Sequence, residues 1–234
     1  MWMVTELEIS SIRIILDDSV RSLGVHIVYG IVSGVTVEKD RVDIREYAER
    51  LAKKLVAEYS VERLREHPII RAYRDFYWRL GIDPTKTRPS SEALLRRVLR
   101  TRTIPLINNV VDSGNFASLE TLVPIGLYDI DRIKGQLRLR LSREGEVFDP
   151  IGGSRELLSE GLPVLADDEK IIHLYPHRDS RHTMIRPSTK NVLVVACGVP
   201  NVPSTLIREA ASKTIEYILR FAGGIQVGEL IYER

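Results

Sequence analysis

Hydrophobic positions along the chain change their spacing several times, and the order of those changes points to a fold class. His26–Val37 is rich in β-branched residues and carries glycines at 30 and 34, which predicts one or two strands with a bulge or turn at Gly30 or Gly34. Between Asp43 and Tyr59, the residues Ile44, Tyr47, Ala48, Leu51 and Leu55 recur at helical spacing. Pro68 opens a second helix that runs to Leu80, with Gly81 as its stop. The linker Ile82–Pro89 leads to a third helix. Ser90 or Ser91 caps it, Glu92 sits in its first turn where the helix dipole favours a negative charge, and Leu94, Leu95, Val98 and Leu99 form its buried stripe. Pro105 suits the first turn of a fourth helix that carries Leu106, Val110, Val111 and Phe116 inward.

From Leu122 the period shortens to two. Val123–Asp129 and Gln136–Leu141 read as strands, the second with Leu137, Leu139 and Leu141 on one face and Arg138 and Arg140 on the other. Short strands follow at Pro163–Ala166, Lys170–Leu174 and Asn191–Ala196, with Gly135, Gly145 and Gly152-Gly153 marking turns. Ser204 caps a long amphipathic helix that stops at Gly223-Gly224, and Ile225–Ile231 is a last strand. Helices come in one block and most strands in another, so a doubly wound parallel sheet is disfavoured. The order predicts an α+β fold with one mixed or sandwich-like sheet system, in a single domain over residues 1–234.

Composition narrows the setting. Apolar residues make up 44% and charged residues 28% of 234, as in a soluble globular chain with a substantial core. No window approaches the roughly 20 apolar residues that span a bilayer. Met1–Glu8 lacks the basic-then-apolar order of a signal peptide. The one cysteine, Cys197, lies in an apolar run and reads as buried. The absence of a second fits a reducing, cytoplasmic location. A net charge of only +2 means that any polyanion-binding surface must come from local clustering.

Such a cluster lies between Arg71 and Arg102: Arg71, Arg74, Arg79, Lys86, Arg88, Arg96, Arg97, Arg100 and Arg102, against Asp75, Asp83 and Glu92. Guanidinium groups grip phosphates with paired hydrogen bonds, and an exposed member of Tyr73, Phe76, Tyr77 and Trp78 would stack a base. The same spacing also describes a solvated helix face over buried aromatics. Next comes an amide-rich segment: Asn108, Asp112 and Asn115 share one helical face, with Asn109 beside them. Buried amides and carboxylates need partners, either in neighbouring loops or in a ligand. His173, His177 and His182 lie around Asp179. Pro176 breaks their common face, and Lys170, Arg178, Arg181 and Arg186 disfavour a cation, so the segment reads as a loop near an anion and no metal or other cofactor is expected. Asp167-Asp168-Glu169 reads as a solvated turn. No phosphate-binding loop, dinucleotide fingerprint, Gly-x-Ser-x-Gly or His-Glu-x-x-His is present.

Several of these segments, in this order, carry a resemblance. Gly81-Ile-Asp-Pro84, Arg88–Arg97, Asn108–Asp112 with Asn115, Pro124–Asp129, and Arg178-Asp-Ser180 with Thr189-Lys-Asn191 are similar to the tRNA-binding and editing domain of the phenylalanyl-tRNA synthetase beta subunit, the B-three/B-four domain. The chain resembles a free-standing form of it, over Ile69 to Ala222. The resemblance implies an α+β fold with a β-sandwich of unusual topology flanked by helices. It also implies a pocket that accepts the mischarged 3′ end of tRNA and hydrolyses the wrong aminoacyl ester by an oriented water and a stabilised oxyanion.

The departures bear on chemistry. The synthetase pattern has a histidine where this chain has Gly126, and a pocket glutamate near the end of the Asn191–Ala196 strand where it has Val194 and Val195. Pro176–Arg181 replaces a glycine-rich turn. Nothing resembles an aminoacylation core, so the chain should not charge tRNA itself. The first expectation is therefore a binder of tRNA or its aminoacylated 3′ end that hydrolyses the ester in trans, in translation quality control. Arg88, Asn108, Asn109, Asp112, Asn115, Gly126 and Thr189 would border the pocket, and Arg96, Arg97 and Arg178 would meet phosphates. No membrane or DNA partner is expected, and no catalytic residue is assigned. The rival expectations are a non-catalytic binder of RNA or of an amino acid or its derivative, and an unrelated small-molecule enzyme on the same fold.

Overall fold

A computed structural model describes residues 11–234. The segment Met1–Glu8, read above for a targeting signal, lies outside the described residues. The chain opens with β1 (Ile14–Leu16), the short helix α1 (Asp18–Ser22) and β2 (His26–Ser33). Four helices follow: α2 (Val42–Glu58), α3 (Pro68–Arg79), α4 (Ser90–Thr101) and α5 (Asn109–Thr121). Then come β3 (Ile125–Asp129), β4 (Leu137–Leu141), β5 (Glu146–Phe148), β6 (Glu156–Leu158), β7 (Pro163–Ala166), β8 (Ile171–Leu174), β9 (Arg178–Asp179) and β10 (Asn191–Gly198). Helix α6 (Ser204–Ala222) and β11 (Ile225–Glu233) end the chain.

The strands form a five-stranded mixed sheet, β1-β4-β7-β8-β9, and a four-stranded antiparallel sheet, β11-β2-β10-β3, with β5 and β6 as a separate ribbon. Only the β1–β4 pair of the first sheet is parallel. The two sheets share a core. Leu193 and Val195 of β10, Ile27 and Tyr29 of β2 and Tyr128 of β3 pack in one cluster with Ile14, Leu137, Leu139, Leu165 and Ile172 of the mixed sheet. The opposite face of the four-stranded sheet presents Val32, Val192, Val194 and Leu127 to Val110 of α5 and Ile215 and Ile218 of α6. Strand β10 is thus buried on both faces, which is why Asn191–Gly198 is a continuous apolar run rather than an alternating one. The fold is α+β, a sandwich flanked by helices. Cys197 is buried within it, and no helix among the described residues is long and apolar enough to cross a membrane.

Gly30 lies inside β2 opposite Val194 and beside a bulge of β11 between Val227 and Ile231, and an added Cβ would meet Leu230 at 2.7 Å and Ile215 at 2.8 Å. Gly34, at φ +76°, ends the strand. Several other local expectations are corrected. Neither Ser90 nor Ser91 caps α4, because the cap position is Pro89, and the Ser91 hydroxyl is buried without a partner. Pro203 likewise precedes α6, so Ser204 is its first residue rather than its cap. Pro105 stands outside α5. That helix starts where the Asn108 side chain accepts a hydrogen bond from Val111 N at 3.0 Å, and Leu106 is left exposed. Asp167 is not solvated: its buried carboxylate accepts from the amides of Lys134, Glu169 and Lys170 and pairs with Lys170 Nζ at 2.6 Å.

Candidate functional site

Two cavities meet at His177. The first, of about 170 Å³, is polar and lies between α5 and the β8–β9 hairpin. Asn115 and Ser118 reach it from one face of α5, three positions apart. Gly114 lets that helix lie flush on β3, since a Cβ there would sit 2.8 Å from Leu127 Cδ1. The other wall is His173 on β8, Asp179 opposite it on β9, and His177 in the turn between them. The second cavity, of about 280 Å³, is walled by apolar side chains including Ile82, Leu157, Leu158 and Leu174. At its rim Arg178 pairs with Glu156 and lies 5.9 Å from the centre of the Phe148 ring.

The electrostatics of the polar cavity follow from burial without cationic partners. Asp179 Oδ1 is sealed from solvent and has no hydrogen-bond partner. Burial pushes the carboxyl up to about 7, with the nearby Tyr128 hydroxyl pulling the other way. Tyr128 itself shares a 2.7 Å hydrogen bond with His173 Nδ1. Burial lowers His173 to about 3, with the charge of His177 adding to the effect. His177 falls to about 4 through burial and the adjacent Arg178 charge, against a backbone contact with Arg88, and its Nδ1 has no partner. At neutral pH both rings are therefore uncharged. The Tyr77 hydroxyl, in the wall of the apolar cavity, is also buried and unpartnered. Unsatisfied polar groups of this kind cost stability and collect where a ligand will complete them.

The residues singled out from the sequence fall in different places. Asn115 lines the polar cavity, and Arg178 the rim of the apolar one. Gly126 lies behind the polar wall, in contact with the Tyr128 hydroxyl. Arg88 is half-buried, its main chain beside His177 and its Nε without a partner. Asn108 is the α5 cap. Asn109 and Asp112 line a separate cavity of about 220 Å³ under the Glu38–Arg41 loop. There Asn109 donates to Thr36 O and Phe221 O and accepts from Glu38 N and Val110 N. Asp112 accepts from Ile107 N at 2.8 Å, and burial pushes it up to about 6. Thr189 is buried elsewhere, donating to Asp129 Oδ2 at 2.7 Å. Arg88, Asn109, Asp112 and Thr189 thus do not share a cavity.

The basic cluster divides as well. Glu92, fully buried, takes Arg96 at 2.7 Å and Arg74 at 3.0 Å. Arg97, Arg100 and Arg102 are exposed. Of the four aromatics, Tyr73, Phe76 and Tyr77 are buried and only Trp78 is open to solvent, at 56%. Sequence reasoning missed Tyr128 and treated His173, His177 and Asp179 as an anion loop. The available signal was the β8 pattern, in which His173 follows two isoleucines in a strand too short to be a helix. His182 pairs instead with Asp149 at 3.0 Å, away from the other two rings.

The B3/4 domain family model matches residues 72–223. The phenylalanine–tRNA ligase beta subunit of Fusobacterium nucleatum is 32% identical over 113 residues, 48% of this chain and 14% of that one. Its counterpart from Protochlamydia amoebophila is 32% identical over 89 residues, 38% of this chain and 11% of that one. The aligned stretches are therefore a small part of those subunits. An N-terminal fragment of the phenylalanyl-tRNA synthetase beta subunit from Pyrococcus horikoshii has a similar structure, with a TM-score of 0.51 at 16% identity, covering 96% of this chain and 55% of that one.

Proposed function

The chain belongs to the B3/4 domain family, and from that premise we propose that it receives the aminoacylated 3′ end of a tRNA and hydrolyses the ester bond in trans, as a cytoplasmic quality-control step in translation. One observation carries the reading: Asn115 and Asp179 face one small cavity, and the sealed carboxylate oxygen has no partner inside the protein. Ester hydrolysis requires a held water and a donor for the developing oxyanion rather than a protein nucleophile. A carboxylate and a primary amide on opposite walls supply those two functions. The adjoining apolar cavity gives room for the amino-acid side chain. Exposed Arg97, Arg100 and Arg102 suit phosphate contacts, and exposed Trp78 suits base stacking.

The direct test is deacylation of a panel of mischarged tRNAs by the folded protein. Ester loss above the uncatalysed rate on at least one member is expected, and none on any member overturns the catalytic reading. A second reading, a non-catalytic binder, is favoured by one observation. Where the synthetase resemblance puts polar groups, this chain has Gly126, and Val194 and Val195 buried in the core. Salt titration of tRNA binding separates its two forms: affinity for RNA falls steeply with salt, and affinity for an amino acid does not.

A further inference from the structure

We propose that Asp179 is the general base of the polar cavity and that Tyr128 and His173 are the residues that position it. This rests on the ester-hydrolysis reading above and adds to it the group that activates the water.

Ser90 and Ser118 have no base bonded to their hydroxyls. The Ser118 hydroxyl lies on α5 across from the hairpin, and neither serine is bonded to a histidine, so no serine–histidine pair exists to make a nucleophile. His173 uses Nδ1 on Tyr128. His177 is held neutral beside Arg178 and is a poor proton acceptor. Asp179 remains, and its situation differs from that of the buried carboxylates Asp167, Asp149, Glu92 and Asp112. Asp167 has Lys170, Asp149 has Arg155 and His182, and Glu92 has two arginines. Asp112 lacks a cation but spends Oδ1 on the Ile107 amide. Asp179 has neither a cation nor a backbone donor on Oδ1. The groups around it are Tyr128 from β3, His173 from β8, His177 from the turn and Cys197 from β10, and its neighbour Arg178 turns to Glu156.

The support is a short hydrogen-bond chain. In this proposal the neutral His173 carries its proton on Nδ1 and donates to the Tyr128 oxygen 2.7 Å away, which turns the Tyr128 hydroxyl toward the nearby carboxylate. The carboxylate lines the cavity and has no cationic partner, so a water held in the cavity can give it a proton. The hydroxyl fits because residue 126 is glycine. In the step itself the water oxygen attacks the ester carbonyl carbon while Asp179 takes one water proton. The carbonyl electron pair moves to oxygen, and the Asn115 amide donates to that oxyanion. Collapse breaks the bond to the ribose oxygen, which takes the proton back from Asp179. The products are the free amino acid and the tRNA hydroxyl end, so atoms and charge balance with water as the only co-reactant. A carboxyl that titrates near neutrality is suited to both transfers.

The test uses the full chain and compares wild type, Asp179→Asn and Tyr128→Phe on the mischarged tRNA panel, together with binding of a non-hydrolysable amide-linked aminoacyl-tRNA analogue. Asp179→Asn should lower kcat by about 100-fold or more while leaving the analogue's Kd within about threefold of wild type. The wild-type rate should rise with pH through a midpoint near 7, the value at which Asp179 titrates. Tyr128→Phe, which removes a donor to the charged carboxylate, should shift that midpoint upward without raising KM. If wild type turns over and Asp179→Asn stays within about threefold of it, the general-base assignment is overturned and the hydrolase reading stands. If wild type turns over no member of the panel, both are overturned. A thermal melt of each variant confirms that folded protein is being compared.

Discussion

The Tyr128 hydroxyl stands where a side chain on Gly126 would begin. A Cβ added at Gly126 would lie 1.9 Å from it, and His173 Nδ1 holds the hydroxyl there at 2.7 Å. The two residues alternate on one face of β3, so the ring of one lies over the bare backbone of the other. Room for the phenol and absence of a side chain at 126 are therefore one structural fact.

Gly126→Ala should be destabilising because its methyl group displaces a buried hydroxyl that is already committed to His173. The expected loss is about 1–3 kcal/mol, as for other overpacked cores. Removing the hydroxyl takes away the 1.9 Å contact but leaves ring carbon Cζ at 2.5 Å, so the double variant Gly126→Ala with Tyr128→Phe should recover only part of the loss. Chemical denaturation of the four members of this cycle measures the coupling. Simple additivity of the two single changes would contradict the contact.

Asp179 should make the native state less stable as pH rises. Its carboxyl titrates at 3.8 ordinarily and at about 7 in the fold. Between those values the folded chain keeps a proton that the unfolded chain has released, so stability falls across that window and stays low above it. Asp179→Asn removes the penalty. At pH 8 the variant should be more stable than wild type by about 1–2 kcal/mol, a discounted figure for a half-buried group. The gain should close as pH falls toward 4, which thermal melts at the two pH values will show.

Arg96 and Arg97 are adjacent in sequence and opposite in role. Arg96→Ala leaves fully buried Glu92 with Arg74 alone and should cost about 2–3 kcal/mol, somewhat below a fully sealed pair because the arginine is partly exposed. Arg97→Ala should change stability by less than about 0.5 kcal/mol. If Arg97 meets a phosphate, its loss should reduce the salt slope of tRNA binding by about 1. Denaturation and salt-titrated binding of the two variants distinguish the roles.

The larger elements were legible because their signals are local. Leu137–Leu141 alternates leucine with arginine behind the turn residue Gly135, α3 lies between Pro68 and Gly81, and the apolar run from Asn191 could only be an interior strand or helix. Strands β1, β5, β6 and β9 were not legible. They are two or three residues long, and what makes β1 a strand is a partner at Leu137–Leu139, far along the chain. Serines at 90, 91 and 204 suggested caps, but a proline one position ahead of the helix holds the extended cap conformation without a side-chain bond. In the site, the amide-rich segment was read as one group, whereas a helix start needs partners of its own. Asn108, Asn109 and Asp112 are taken up by the backbone around the α5 N-terminus, and Asn115, a turn further on, reaches the cavity. The sequence places Asp179 among the histidines but does not show its isolation from cations, which depends on Arg178 turning toward Glu156 on a different ribbon.

That ribbon, β5–β6, belongs to neither main sheet, yet it supplies Leu157 and Leu158 to the apolar cavity. Its Phe148 and Leu158 pack in a small core with Val164, Ala166 and Ile171, whereas Leu157 is exposed at 71%. Leu157 is therefore the ribbon position at which a substitution can reshape the apolar cavity with little cost to the core, while Asp179, Tyr128 and Asn115 keep their places on the sandwich and its helix. The ribbon also holds Glu156, the partner of Arg178, so a change there reaches the surroundings of Asp179 as well as the apolar cavity.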